Sequence, residues 1–495
     1  MKKIHNSIIV VFFLAALFAC TDELSNPPIG LLTAEQVVSD PTVTTIESSV
    51  KSSYEPLKNT LNGIIDGWRW DLGTIFRNDI VLQDIASNDM NKKWNPDGDQ
   101  PWMDKIADFS FTAENPAFNG IWVYDYEGIS RVNLALSFLT NDELIQKTGL
   151  SQERRNQLLA ETYFLRAYYY FDLVNNFGDV PLVFKTPASF EEAQAASVRS
   201  TADEVKAQIN TDLSASIAAV TSGKYPDGSE PWRVSKGAIL ALQAKVALFN
   251  KDWSTVLSII SELDGLGYYS LNANYFDSFD AAKEFTEDEV IFVYDHRSGE
   301  TPRVGNGLGA PTDWGFFAPT DDFLAAFEAN DPRLLYTIDV PNKRSNKILG
   351  STTDYKGNDD GPGNKVYIRY ADVLLWKAEA LIETEDLSGA ITIINQIRAR
   401  ARTSPTADGS AIPPETLADR PGSSDKSQVM DWLMSERRVE LGFESQRFND
   451  LKRWGTAKSV LTGLGRNFQD HNYLFPIPQR DIDKSGGTIT QNPGY

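Results

Sequence analysis

The chain has 495 residues, 41% hydrophobic and 23% charged, a balance ordinary for a globular protein and long enough for a large core. Acids outnumber bases 68 to 47, and the resulting charge of −21 argues against nucleic acid and anionic lipid as partners. Eleven tryptophans and 18 tyrosines point instead to recognition by aromatic stacking.

Residues 1–19 read as a secretory leader: Lys2 and Lys3, then an apolar run from Ile8 to Phe18 that is too short for a permanent membrane span. Its end, Leu17-Phe18-Ala19-Cys20, has the form of a bacterial lipobox. Cys20 is the only cysteine, so internal disulfides are excluded, and its place at the cleavage site predicts lipidation. Loss of Lys2 and Lys3 with the leader makes the mature chain still more acidic. Residues 20–32, with Pro27-Pro28 and Gly30, form a tether.

An N-terminal region is expected over 33–150. Helical periodicity starts near Thr33 and continues with interruptions to Leu61. From Gly63 to Asn119 come Trp68, Trp70, Trp94 and Trp102, the polar run Gln83 to Asp89, and a loop from Asn95 to Pro101. Trp and Asp or Asn on loops of a helical scaffold predict a recognition surface. Residues 151–264 read as helix pairs: a helix from Ser151 to Phe177, one from about Thr201 to Val220 with a capping box Thr201–Glu204, and two more from Ser235 to Phe249 and Asp252 to Asp264. Ala238, Leu242, Ala247 and Leu248 recur 133 positions later as Ala371, Leu375, Ala380 and Leu381, and the following helices match through Leu257 and Ile260 against Ile391 and Ile394. Units of this size predict a tetratricopeptide-like superhelix of stacked pairs, a scaffold for binding more often than for catalysis.

Residues 265–370 form an aromatic, loop-rich insertion. They carry a strand-like run Val290 to Tyr294, a Gly- and Pro-rich stretch from Gly299 to Thr312, and Trp314-Gly315-Phe316-Phe317. Asp331-Pro332-Arg333 reads as a structural turn. The C-terminal region, 371–495, contains the densest charge in the chain, Glu436 to Gly455. Taken as one helix ended by Gly455, it stacks Glu436, Glu440 and Glu444 four apart and answers them with Arg437 and Arg447 within a turn, while Leu441, Phe448, Leu451 and Trp454 face a core. This predicts a partly buried ion-pair network rather than a carboxylate site.

Ala160–Pro181, Arg369–Ala380, Glu436–Gly455, Asn472–Asp483 (NYLFPIPQRDID) and the terminal QNPGY together resemble the SusD/RagB family of Bacteroidetes outer-membrane lipoproteins. Thr21-Asp22-Glu23 after the cysteine resembles that group's surface-export signal. The resemblance implies a mostly helical fold with tetratricopeptide-like pairs, display on the cell exterior, glycan capture without catalysis, and service as the lid of a SusC-like TonB-dependent transporter. By region it places Asp84, Asn88, Asp89, Trp94 and Trp102, with Tyr294, Trp314 and Phe317, at the ligand. No cofactor or metal is expected. A peptide lid, a protein-binding scaffold and a glycoside hydrolase remain open alternatives, the last because two carboxylates suffice for it. With three histidines, of which His5 lies in the leader and His296 and His471 are isolated, the sequence offers no His-based metal motif, nucleophile elbow or phosphate loop.

Overall fold

The computed structural model describes residues 34–495 except 59–60, 66, 95–97, 188, 221–222, 226–228, 295–307 and 354–362. The leader, Cys20, the tether, Asn95 to Asp97, His296 and most of the Gly299–Thr312 run therefore lie outside the described residues.

The fold is mostly helical. The helices used below are α1 (Val43–Ser52), α2 (Ala117–Leu139), α3 (Gln152–Phe177), α4 (Phe190–Ala196), α5 (Ala202–Ala219), α6 (Lys236–Phe249), α7 (Trp253–Gly265), α8 (Tyr370–Glu383), α9 (Leu387–Thr403), α10 (Lys426–Glu440), α11 (Arg447–Arg453) and α12 (Gln479–Lys484). Four short antiparallel pairs join distant segments: β1 (Met90–Asn91) with β5 (Ala318–Pro319), β2 (Val180–Pro181) with β3 (Arg199–Ser200), β4 (Val290–Tyr294) with β8 (Lys365–Arg369), and β6 (Ile338–Asp339) with β7 (Arg344–Ser345).

Caps set the helix starts. Ser151 accepts from the Arg154 amide to open α3, and the predicted capping box opens α5, Thr201 N donating to Glu204 Oε2 at 2.8 Å and Glu204 N to Thr201 Oγ1 at 3.3 Å. Helices α6–α7 and α8–α9 occupy the repeated stretches, each pair packs on itself, and α7 packs on α8. Ala238, Leu242, Ala371, Leu375 and Ala380 are fully buried, so the small-large alternation that carries the repeat is also what lets the helices approach closely. One apolar cluster runs from Val37 to Ile489, and a second lies among α8, α9 and α10.

The charged stretch departs from its expected shape. It is two helices: α10 ends at Glu440 and α11 begins at Arg447, the turn between them holding Phe443 and Ser445 at φ of 67° and 58°. The break lets Glu440 and Glu444 meet cations from other elements rather than the neighbours one turn away. Glu440 accepts from Arg333 (3.0 Å), Arg369 (2.8 Å) and Arg400, and Glu444 from Lys347 (2.7 Å) and Arg369 (2.8 Å). Arg437 donates to Asp372 (2.8 Å) and Asp450 (3.0 Å), not to Glu440. Arg447 pairs with neither Glu444 nor Asp450, the carboxylates three residues to either side; its guanidinium lies 5.9 Å from the Trp454 ring, with Nε and Nη1 buried and without hydrogen bonds. The Asp331-Pro332-Arg333 turn feeds the same network, since Asp331 grips Arg333 at 2.7 Å and Arg333 reaches Glu436 at 2.5 Å. Isolated, each of these buried charges would cost several kcal/mol; gathered with partners they lock the C-terminal region in one arrangement.

Candidate functional site

The two aromatic segments meet. Pairing of Met90 with Pro319 and Asn91 with Ala318 is extended on one side by Lys93 N to Gly315 O (2.6 Å) and on the other by Thr320 N to Asp89 O (3.1 Å) and Thr320 Oγ1 to Asn88 O (2.7 Å). This clamp sets the Trp94 indole against Gly315, the residue that follows Trp314. Gly315, at φ +88°, makes the approach possible: a Cβ there would sit 3.0 Å from Lys93 Cβ and 3.4 Å from the Trp94 indole nitrogen. Trp94 is 60% exposed and Trp314 46%, so both indoles face solvent while their backbones are held.

Behind them the rings interlock. Trp314 meets Phe316 edge-on at 6.4 Å, Phe316 meets Trp70 at 5.4 Å, Trp70 meets Phe76 at 6.0 Å, and Phe76 meets Phe317 at 5.7 Å. Trp68, 52% exposed at φ +53°, precedes Trp70 in a turn closed by Gly73. Polar groups ring the pair. Lys93 Nζ lies 4.9 Å over the Trp94 ring and donates to Asn342 O at 3.1 Å. Asn342 donates to Asp339 at 2.9 Å, and Arg344 bridges Asp339 (2.7 Å) and Asp313 (3.0 Å).

Of the eight residues expected at a ligand, only Trp94 and Trp314 are presented this way. Trp102 is buried, its indole donating to Gln100 at 2.8 Å. Asp84, Asn88 and Asp89 are interior. Asp84 accepts from the Ser445 amide at 3.0 Å, and burial pushes its carboxyl well above the usual range. Asn88 Oδ1 accepts from Arg466, and Asp89 from Arg438 at 2.7 Å. Tyr294 packs in the core 5.8 Å from Trp232, and Phe317 is fully buried. A polar run and an aromatic run each mark a region, but burial decides which members reach solvent. Sequence reasoning placed Trp68 in the recognition region without naming it at the ligand, and missed Lys93, Asp313, Asp339, Asn342 and Arg344; adjacency of Lys93 to Trp94 and of Asp313 to Trp314 was the local signal for two of them.

Among the described residues no group of three or more His, Cys, Asp or Glu could hold a metal, and no helix is long and apolar enough to cross a membrane.

Two family models match the chain. One, described as the SusD family, covers residues 335–473, and one described as starch-binding associating with outer membrane covers residues 46–248, together more than two thirds of the chain. The chain belongs to the SusD family. Its relatives include a SusD-like protein, P25, of Formosa agariphila, 25% identical over 97% of both chains. Solved SusD-family structures share its fold. A laminarin binding SusD-like protein superposes with a TM-score of 0.71 at 22% identity, covering 92% of this chain and 100% of that one. Surface glycan-binding protein A from Bacteroides thetaiotaomicron in complex with laminarihexaose gives 0.71 at 21% identity, with 91% and 99% covered. The clamp between β1 and β5 is thus built on a SusD scaffold whose charged helices α10 and α11 fall within the first of the matched segments.

Proposed function

We propose that the protein is a cell-surface glycan-binding lipoprotein. It captures oligo- or polysaccharide on the Trp94–Trp314 surface, acts as the lid of a SusC-like TonB-dependent transporter, and leaves the ligand chemically unchanged. The observation that carries this reading is the pair of exposed indoles held on rigid backbone amid Lys93, Asp313, Asp339 and Asn342. Pyranose C–H faces stack on indoles, and such polar groups donate to and accept from hydroxyls. Of the other predicted residues, Phe317 packs on the ring chain behind Trp314 and the Asn88 and Asp89 carbonyls hold the clamp. Laminarihexaose is the first ligand to try, because proteins of this fold are described as binding laminarin or were solved with laminarihexaose. Modest affinity at one site is offset by many anchored copies acting on a repeating polymer.

Titration calorimetry of residues 21–495 with laminarihexaose tests this. Trp94→Ala and Trp314→Ala are each expected to weaken binding by about 2 kcal/mol, roughly thirtyfold, with melting temperatures unchanged because both rings are exposed. Shortening of the hexaose during the titration would sink the non-catalytic reading. Absence of binding to any of a panel of neutral polysaccharides would sink the glycan reading. The anchor is tested separately: Cys20→Ser is expected to move the protein from the membrane fraction to the soluble fraction on cell lysis, since acyl chains supply the membrane affinity.

A further inference from the structure

An interior cavity of about 30 Å³, roughly twice the space one water molecule needs, lies where α3, α6, β8 and the turn between α10 and α11 converge. It shares no residue with the tryptophan pair. Charged side chains line much of its wall, and nearly all of them are paired. Arg77 holds Asp125 and Asp172, Lys365 holds Asp79 at 3.1 Å, Arg437 holds Asp450 at 3.0 Å, and Glu444 takes Arg369 and Lys347.

Lys245 is the exception. Its Nζ makes one hydrogen bond, to Gln446 Oε1 at 3.2 Å, and lies 5.8 Å from the Trp376 ring, with no carboxylate partner among the described residues. Burial holds its ammonium below the usual lysine range, although Asp372, Asp172 and Asp450 act on it from farther off. A charge so placed is costly unless the cavity supplies its opposite. The neutral groups of the wall share the bias. Among the described residues, the Gln446 and Asn449 side-chain amide nitrogens and the Tyr168 hydroxyl have no hydrogen-bond partner, and they keep accessible surface where Asn449 Oδ1 has none. Ser445 Oγ accepts from Lys365 at 2.9 Å and keeps its own hydrogen to donate.

Against these donors the lining carboxylates offer one oxygen without a bond, Asp172 Oδ1. Water donates as well as accepts and needs both kinds of neighbour, whereas donors gathered about an ammonium select an occupant that only accepts. The volume suits a monatomic ion with a water beside it on Asp172. We propose that this cavity binds a halide ion, chloride under ordinary conditions, on Lys245 Nζ with donors from Gln446, Asn449 and Tyr168, and that the ion ties α3, α6 and α11 together. The proposal does not depend on the glycan reading.

Crystals of residues 21–495 grown in sodium bromide, with data collected at the bromine absorption edge, are expected to show an anomalous peak beside Lys245 Nζ. In solution, thermal melts in sodium chloride and in sodium gluconate of equal ionic strength are expected to differ, chloride raising the midpoint by about 2 °C because it binds the folded state alone. Two variants carry the same measurements. Lys245→Met removes the cation at nearly constant length, and Gln446→Glu keeps the oxygen that Lys245 meets while replacing the donor amide with a carboxylate. Each is expected to abolish the bromide peak and the chloride increment, and the comparison with wild type removes general salt effects. Density in the cavity without anomalous signal would assign it to water and overturn the proposal. So would a chloride increment that survives in both variants. A bromide peak without any chloride increment would mean an adventitious ion only, and would overturn it too.

Discussion

Glu440→Gln is expected to destabilise the protein by about 3–5 kcal/mol, because it leaves buried guanidinium groups without their carboxylate. Arg333, Arg369 and Arg400 all donate to Glu440, and every one of the four side chains is buried. Burial alone would raise the Glu440 carboxyl; Arg400, Arg369 and Arg333 together outweigh it and hold it well below the usual carboxylate range. The sign of the pH effect follows. A group whose pKa is depressed by folding contributes stability that is fully present above its unfolded pKa, about 4.3, and that is lost as the pH falls below it, by about 1.4 kcal/mol for each pH unit until the folded pKa is reached. Urea unfolding followed by tryptophan fluorescence should therefore show the gap between wild type and Glu440→Gln constant near neutrality and narrowing below about pH 4. A gap that stays constant to about pH 3 would mean that Glu440 stabilises by packing rather than by charge.

Gly73→Ala is expected to cost about 3 kcal/mol or more and to weaken glycan binding as well, because strain and overlap fall on one residue. Gly73 sits at φ +62°, and a Cβ there would lie 2.0 Å from Pro116 O and 2.5 Å from Pro116 C, backbone atoms that cannot swing aside. The same residue ends the turn that carries Trp68 and Trp70, its amide donating to Trp70 O at 3.1 Å and its carbonyl accepting from Asn78 at 2.8 Å. Relief of the overlap would displace Trp70 from Phe316, and with it the support of Trp314. Gly149→Ala is the control: φ is +72° but nothing lies within 4 Å, so only the left-handed backbone is strained, at about 1 kcal/mol. Thermal melts and laminarihexaose titrations of the two variants separate overlap from strain; equal losses in both would refute the role given to Pro116.

Helices were legible where local rules suffice. Period, caps and the 133-residue repeat located α3, α5, α6, α7, α8 and α9, since each signal lies within a few residues of what it predicts. The strand Val290–Tyr294 was legible too, but its partner Lys365–Arg369 was not, because it runs directly into α8 and borrows that helix's pattern. Glu436 to Gly455 shows the limit of spacing: the period suggested pairs one turn apart, whereas cations on four other parts of the chain outcompeted them and the backbone broke at Leu441 to serve them. At the candidate site, composition found the regions and could not rank the residues. Asp84, Asn88 and Asp89 look like loop polarity, yet their partners Ser445, Arg466 and Arg438 lie 361, 378 and 349 positions away. Trp314 and Phe317 are three apart in sequence and opposite in exposure, with the chain turning between them at Gly315, φ +88°.

That pairing joins segments separated by more than two hundred residues, and it gives recognition an order in time. Contacts so distant along the chain form after local helices have condensed, since closing a long loop is costly before other contacts repay it. A partly folded or truncated chain that carries every helix of its first half is thus still expected to be blind to ligand. On the glycan reading, "able to bind" and "completely folded" are one condition, and a sugar spanning both indoles would act as a noncovalent staple across a loop of more than two hundred residues.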